Sequence, residues 1–194
     1  MVLTSSTMLE LGTAAPDFLL PDVVSGKKTS LHEFSGQKAL VVMFICRHCP
    51  YVQHVKAELS KLGRDYQFSE VGIVAISAND AVNYPDDAPA SLKAFAKEEK
   101  FTFPLCYDEA QKTAMDYTAA CTPDFFVFSD MRKLVYRGQL DDSRPGNGKP
   151  VTGKDLRAAI DSALEGKHPL PAQKASMGCN IKWKKGQEPV YFSK

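Results

Sequence analysis

The sequence has almost no excess of charge, few cysteines and no long hydrophobic run. Its 24 lysines and arginines are matched by 23 aspartates and glutamates, so a formal net charge of +1 gives no basis for binding nucleic acid or an acidic membrane surface. The longest apolar run, residues 39–45, is far shorter than the roughly 20 residues of a membrane-spanning helix. Five cysteines are too few for a disulfide scaffold, and an odd number cannot all pair.

A targeting signal is also missing, because residues 1–7 contain no basic stretch and no apolar core follows them. We therefore expect a cytoplasmic protein, and in that compartment cysteines are more often buried, catalytic or metal-binding than bridged. The length of 194 residues and the hydrophobic share of 44% are ordinary for a globular chain and suit one domain with additions.

Apolar patterns indicate alternating strands and helices. Residues 39–45 and 71–77 are unbroken apolar runs, typical of strands buried on both faces. Helices are predicted over residues 50–66, 89–100, 108–117 and 155–164, and an antiparallel hairpin over residues 124–129 and 133–139. This order predicts an α/β fold with a central mixed sheet flanked by helices. Residues 15–36 predict a small hairpin and a short turn, and Asp86-Asp87 are interpreted as loop caps or arginine partners.

The sharpest chemical feature is a cysteine between the first buried strand and the helix that follows it. Proline is favoured at the first helical position, so Pro50 places Cys49 at the N-cap. The free N–H groups and positive dipole end of a helix favour an anion there, and a thiolate is such an anion. Cys49 should therefore have a lowered pKa and raised nucleophilicity, and Arg47 and His48 can add positive charge.

Cys46 and Cys49 form a C-x-x-C pair, for which three interpretations remain open. The two thiols can be inert and buried. They can be half of a metal site with His48, Cys121 or Cys179, although no second C-x-x-C supports this. The helix-start position favours the third interpretation, a redox nucleophile beside a βαβ pattern. We expect neither a metal nor a cofactor.

Six segments together resemble a known family. They are residues 15–22 (APDFLLPD), 30–36 (SLHEFSG), 48–52 (HCPYV), 121–126 (CTPDFF), 138–146 (GQLDDSRPG) and 178–183 (GCNIKW). The chain is similar to the thioredoxin-like superfamily, in its peroxiredoxin-like (AhpC/TSA) branch. The resemblance implies a thioredoxin-like fold over residues 1–166, with an N-terminal hairpin extension over 1–38. A C-terminal tail, residues 167–194, is expected to pack on this domain.

The resemblance also implies roles for individual residues. In thioredoxin-like proteins the leading cysteine follows a strand phenylalanine by five positions, and counting from Phe44 gives Cys49 as the nucleophile. The equivalent of Pro123 is cis and faces that cysteine, and the adjoining backbone binds the substrate chain as an added strand. Catalytic residues are therefore expected to be Cys49, Cys46 and Cys121, with Cys179 as a possible resolving thiol. Substrate contacts are expected from Thr122, Pro123, His48 and Pro50.

Several positions depart from the family patterns. The usual second thiol position of thioredoxins is Val52, and the position of their buried acid is Met43. The peroxiredoxin pattern P-x-x-x-T-x-x-C would place threonine at Cys46 and proline at Val42.

A thiol–disulfide oxidoreductase is therefore favoured over a fast peroxidase with an atypical loop. A non-catalytic binding module is the further alternative. The expected partners are a protein disulfide or small peroxide and a thiol reductant such as a thioredoxin or glutathione system. Neither nucleic acid nor a membrane is expected as a partner, and the protein is expected to be a monomer or homodimer.

Overall fold

A computed structural model describes residues 3–167 and 173–192. Its helices are α1 (Pro50–Asp65), α2 (Pro89–Glu98), α3 (Lys112–Asp116) and α4 (Lys154–Leu164). Its first five strands are β1 (Leu3–Ser5), β2 (Leu19–Pro21), β3 (Lys28–Ser30), β4 (Ala39–Phe44) and β5 (Val71–Ser77). The remaining strands are β6 (Leu105–Tyr107), β7 (Cys121–Thr122), β8 (Asp124–Phe128), β9 (Leu134–Gly138) and β10 (Met177–Asn180).

The central sheet has five strands in the order β6-β5-β4-β8-β9. Strands β4, β5 and β6 are parallel, whereas β8 and β9 run antiparallel to their neighbours, so the sheet is mixed as predicted. Every residue of β4 is buried, because apolar clusters cover both faces of the sheet. One cluster joins Val41 and Met43 to side chains of α1, α2 and α4. The other joins Val42 and Phe44 to Tyr117 and to residues near the C-terminus.

The predicted helix over residues 108–117 is shorter in the structure and begins at Lys112. Asp108 does bind the helix, since its carboxylate accepts the N–H of Ala114 at 2.8 Å. Gln111, however, has a φ of +60°, outside the right-handed helical region, so the helix starts only after it. The predicted N-terminal hairpin is confirmed by the antiparallel pair β2–β3, which a 3₁₀ turn over Leu31–Phe34 follows.

A second sheet has the order β1-β10-β7, with both pairs antiparallel. The strand β10 was not predicted, because its residues, Met-Gly-Cys-Asn, show no strand pattern. It brings the described part of the C-terminal segment to the edge of the domain that carries Cys121 and Thr122. None of the helices in residues 3–167 and 173–192 is long and apolar enough to cross a membrane.

Candidate active site

Cys49 lies at the N-cap of α1, just beyond the carboxyl end of β4. Its backbone is extended (φ −70°, ψ 123°), and Pro50 is the first helical residue, as the sequence predicts. The carbonyl of Cys49 accepts the N–H of Gln53 at 2.9 Å, which begins the helical ladder. The side chain of Cys49 is fully buried, whereas Pro50 is exposed beside it.

The Thr122–Pro123 peptide bond is cis, as the resemblance implies, and Thr122 contacts both thiols of the C-x-x-C pair. The sulfur of Cys49 lies 3.1 Å from the Thr122 carbonyl oxygen. The sulfur of Cys46 lies 3.3 Å from the Thr122 hydroxyl oxygen. The structure therefore brings Cys46, Cys49 and Thr122 together, with Pro123 next in the chain.

A third thiol completes the group around Cys49. The Cys179 thiol, on β10, donates a hydrogen bond to the Cys49 sulfur, and the Cys46 thiol does the same. These two donors, that of Cys179 first, lower the pKa of Cys49 well below the usual range of a thiol, against the opposing effect of burial. The pKa of Cys179 is raised, mainly by its bond to Cys49, and the pKa of Cys46 is raised mainly by burial. One negative charge is therefore favoured at Cys49.

His48 lies beside this group and is held in a polar network. Its Nδ1 hydrogen-bonds to the fully buried carboxylate of Asp87, and its ring stacks on Tyr84 with centroids 5.7 Å apart. The bond to Asp87 raises the pKa of His48. Burial alone would raise the pKa of Asp87, but bonds from His48 and Asn79 outweigh it and leave that pKa lowered. The two residues thus form an ionic pair close to the cysteines.

Arg47 does not place its positive charge at the thiols. Its Nη1 donates to the carbonyl and hydroxyl oxygens of Ser91 at 3.0 and 2.9 Å. Its Nη2 forms an ion pair with Glu98 at 3.2 Å. Both partners belong to α2, so this guanidinium fixes the loop before α1 to α2. Arg47 therefore does not supply the positive charge that the sequence predicts beside Cys49.

The two other cysteines form no hydrogen bond with Cys49 among the described residues. The Cys121 thiol points to the Pro123 carbonyl oxygen at 3.7 Å, and burial raises its pKa well above the usual value. Cys106 lies on β6 within the second apolar cluster, and burial raises its pKa to about 12. The catalytic role expected of Cys121 stays a prediction, and its thiol forms no hydrogen bond with Cys49 in the structure.

One group in the described part of the chain has the spacing of metal ligands: Cys46, His48 and Asp87, whose donor atoms lie within 4.8 Å of one another. The carboxylate of Asp87 is already saturated with hydrogen bonds. One oxygen accepts the backbone N–H groups of Arg47 and His48, and the other accepts Asn79 and the His48 ring. A cation here would have to break these bonds, so the arrangement suits a carboxylate that orients a histidine.

Sequence reasoning missed the roles of Asp87, Asn79 and Tyr84. The interpretation of Asp87 as an arginine partner is wrong for its side chain, which binds the ring of His48 and only the backbone of Arg47. The predicted order of parallel strands contained a usable signal for these residues. The chain after β5 returns to the same sheet edge as Cys49, because the carboxyl ends of adjacent parallel strands lie together.

Residues 11–137 match the AhpC/TSA family. The chain belongs to this family. An uncharacterized conserved protein from Geobacillus kaustophilus is 50% identical, with 96% of this chain and 98% of that chain covered and a TM-score of 0.94. A hypothetical protein from Sinorhizobium meliloti 1021 is 46% identical, with coverages of 94% and 100% and a TM-score of 0.92. No curated protein matches.

More distant structures agree on the fold of this AhpC/TSA protein. A thiol:disulfide interchange protein of the thioredoxin family from Chlorobium tepidum TLS has a TM-score of 0.62 at 17% identity, with 80% of this chain and 99% of that chain covered. The fold is therefore thioredoxin-like, as the sequence resemblance implies. Family and fold together support a thiol redox function.

Proposed function

We propose that this protein is a thiol–disulfide oxidoreductase in which Cys49 is the nucleophile. The observation that supports this best is the environment of the Cys49 sulfur. It lies at a helix N-terminus beside a cis proline, and two neighbouring thiols donate to it and lower its pKa. A thiol that is ionised at neutral pH is the attacking group that disulfide exchange requires.

In the proposed reaction the Cys49 thiolate attacks one sulfur of a substrate disulfide. The other sulfur leaves as a thiolate and takes a proton, and a mixed disulfide remains on Cys49. A neighbouring cysteine then releases the substrate as a thiol, and a thiol reductant of the thioredoxin or glutathione type restores the enzyme. The surroundings of Thr122 and Pro123 are the expected contact for the substrate.

Reduction of a small hydroperoxide is the second candidate, and membership of the AhpC/TSA family favours it. It ranks lower because the groups around the Cys49 sulfur are two thiols, the Thr122 side chain, the Val52 backbone and a carbonyl oxygen, with no cationic donor among them. A peroxide O–O bond needs donors that polarise it as it breaks. The nearest arginine in sequence, Arg47, is committed to Ser91 and Glu98.

Steady-state turnover of a small disulfide, of insulin and of hydrogen peroxide tests the proposal. We compare the wild type with Cys49→Ser and with Cys106→Ala, a matched loss of a buried thiol from the other cluster. We expect Cys49→Ser to abolish disulfide turnover and Cys106→Ala to retain it. Equal turnover in the wild type and Cys49→Ser would refute the proposal, and no turnover in the wild type would favour a non-catalytic binding module.

A further inference from the structure

The strand edge beside the cis proline is occupied by the protein's own chain. β10 pairs antiparallel with β7, and the register sets Cys179 opposite Thr122 and Asn180 opposite Cys121. In thioredoxin-like proteins this edge is where an extended substrate chain adds as a strand. Residues that face each other in an antiparallel pair project to the same face, so a cysteine opposite Thr122 is carried toward the nucleophile.

The close approach of β10 depends on a glycine. A Cβ on Gly178 would lie 2.0 Å from the carbonyl oxygen of Thr122, a distance that no real Cβ reaches. The same carbonyl oxygen lies 3.1 Å from the sulfur of Cys49. Thus Gly178, Thr122 and Cys49 meet at one point, and the residue after Gly178 is the cysteine whose thiol contacts Cys49.

We propose that β10 holds Cys179 in the place of a substrate cysteine, and that Cys179 is the thiol that resolves the mixed disulfide on Cys49. This inference rests on the proposed function, because it assigns the second half of that reaction. It also limits the substrate. Cys49 and Cys179 are 0% and 2% exposed, so an extended polypeptide has to displace β10, and small disulfides are favoured.

Cys46 is the competing thiol, and its surroundings make it the poorer one. The largest cause that raises the pKa of Cys179 is its bond to the charged Cys49, which disappears once Cys49 is in a mixed disulfide. Burial still raises the pKa of Cys179 in the mixed disulfide, but the nearby Lys182 opposes it. For Cys46 the largest cause of the raised pKa is burial, and the negative charge of Asp87 adds to it. Both of these persist in the mixed disulfide and no positive charge among the described residues offsets them, so a thiolate is less favourable at Cys46 than at Cys179.

Cys179 loses its proton to water, and its sulfur attacks the sulfur of Cys49. The bond between Cys49 and the substrate breaks, and the substrate sulfur leaves as a thiolate that takes up a proton. Over the whole reaction the substrate disulfide gains two electrons and two protons. The protein loses two electrons and the proton of Cys179, and the second proton comes from water because Cys49 is already ionised. The protein then holds a Cys49–Cys179 disulfide, which the thiol reductant reduces.

Disulfide mapping by mass spectrometry tests this directly. The reduced full-length protein is treated with hydroxyethyl disulfide, quenched in acid and digested. We expect the Cys49–Cys179 peptide pair in the wild type and in Cys106→Ala. In Cys179→Ser we expect a stable mixed disulfide on Cys49, with a burst of one mercaptoethanol per chain followed by arrest.

A Cys46–Cys49 pair in the wild type would overturn the inference, as would arrest in Cys46→Ser but not in Cys179→Ser. Mapping on the wild type needs no variant to fold, so it decides the pairing in any case. Either result leaves the proposed function intact, since both still use Cys49. Only turnover that does not depend on Cys49 refutes that function.

Discussion

Replacing Cys179 separates its two contributions, hydrogen-bond donation and thiol chemistry. Alanine removes both, whereas serine keeps a donor but cannot form a disulfide. A hydrogen bond to a charged group contributes about 1.5–3 kcal/mol. Because one pKa unit corresponds to about 1.4 kcal/mol, Cys179→Ala should raise the pKa of Cys49 by about one to two units. Cys49 is fully buried, so solvent does not screen this effect. Cys46 remains as a donor, so the pKa stays below that of a free thiol.

The assay is the rate of alkylation of Cys49 by iodoacetamide, measured across a pH series on reduced protein and read from the Cys49 peptide. The rate follows the thiolate fraction, so it should decline at a higher pH in Cys179→Ala than in the wild type. Cys179→Ser should follow the wild-type profile, and so should Cys106→Ala. An unchanged profile in Cys179→Ala would show that the thiol of Cys179 does not stabilise the Cys49 thiolate, and the reasoning would fail.

Two further predictions concern the supports of the site. Gly178→Ala must separate β10 from Thr122 by at least 1.0 Å to reach a 3.0 Å contact. Overpacking of this kind costs about 1–3 kcal/mol in urea unfolding. Gly36→Ala, which meets open space, should change little; equal losses in both variants would contradict this account. Asp87→Asn should lower the pKa of His48, read by NMR titration, because the bond to Asp87 is what raises it. A raised histidine pKa stabilises the fold below about pH 6.5 and ceases to do so as pH rises through the folded value. The difference in the free energy of unfolding between the wild type and Asp87→Asn should therefore narrow with rising pH. A constant difference would count against an ion pair between His48 and Asp87.

Local rules were sufficient to predict the position of Cys49 in the fold. The unbroken apolar run ending at Phe44 predicts a buried strand, and Pro50 predicts a helix start, so Cys49 at the N-cap follows from nearest neighbours in the chain. The helix boundaries were also close, except where Gln111 adopts a left-handed conformation that no pattern around it predicts. Such features are encoded within a few residues of where they act.

The partners of Cys49 could not be predicted in the same way. Cys179 reaches the site through a four-residue strand whose pairing joins residues 177–180 to residues 3–5 and 121–122. Short strands without alternation carry little information about register, since register is set by a buried face that this strand does not display. The one local sign was Gly178, a residue that permits close approach of two backbones.

The distance of Cys179 along the chain has an energetic consequence for the cycle. A disulfide between residues 49 and 179 closes a loop of about 130 residues, which in the chain-entropy model stabilises the fold by about 5 kcal/mol. A Cys46–Cys49 disulfide closes a four-residue loop and stabilises it by only about 2 kcal/mol in the same model. In that model the entropy is lost by the unfolded chain, so linkage makes either disulfide harder to reduce in the folded protein than in the unfolded chain. Resolution by Cys179 therefore predicts a larger gain in folding stability on oxidation than resolution by Cys46, before a thiol reductant restores the dithiol. That reductant must reach a sulfur that β10 keeps buried, so we expect partial release of β10 from β7 in the reductive half of the proposed cycle.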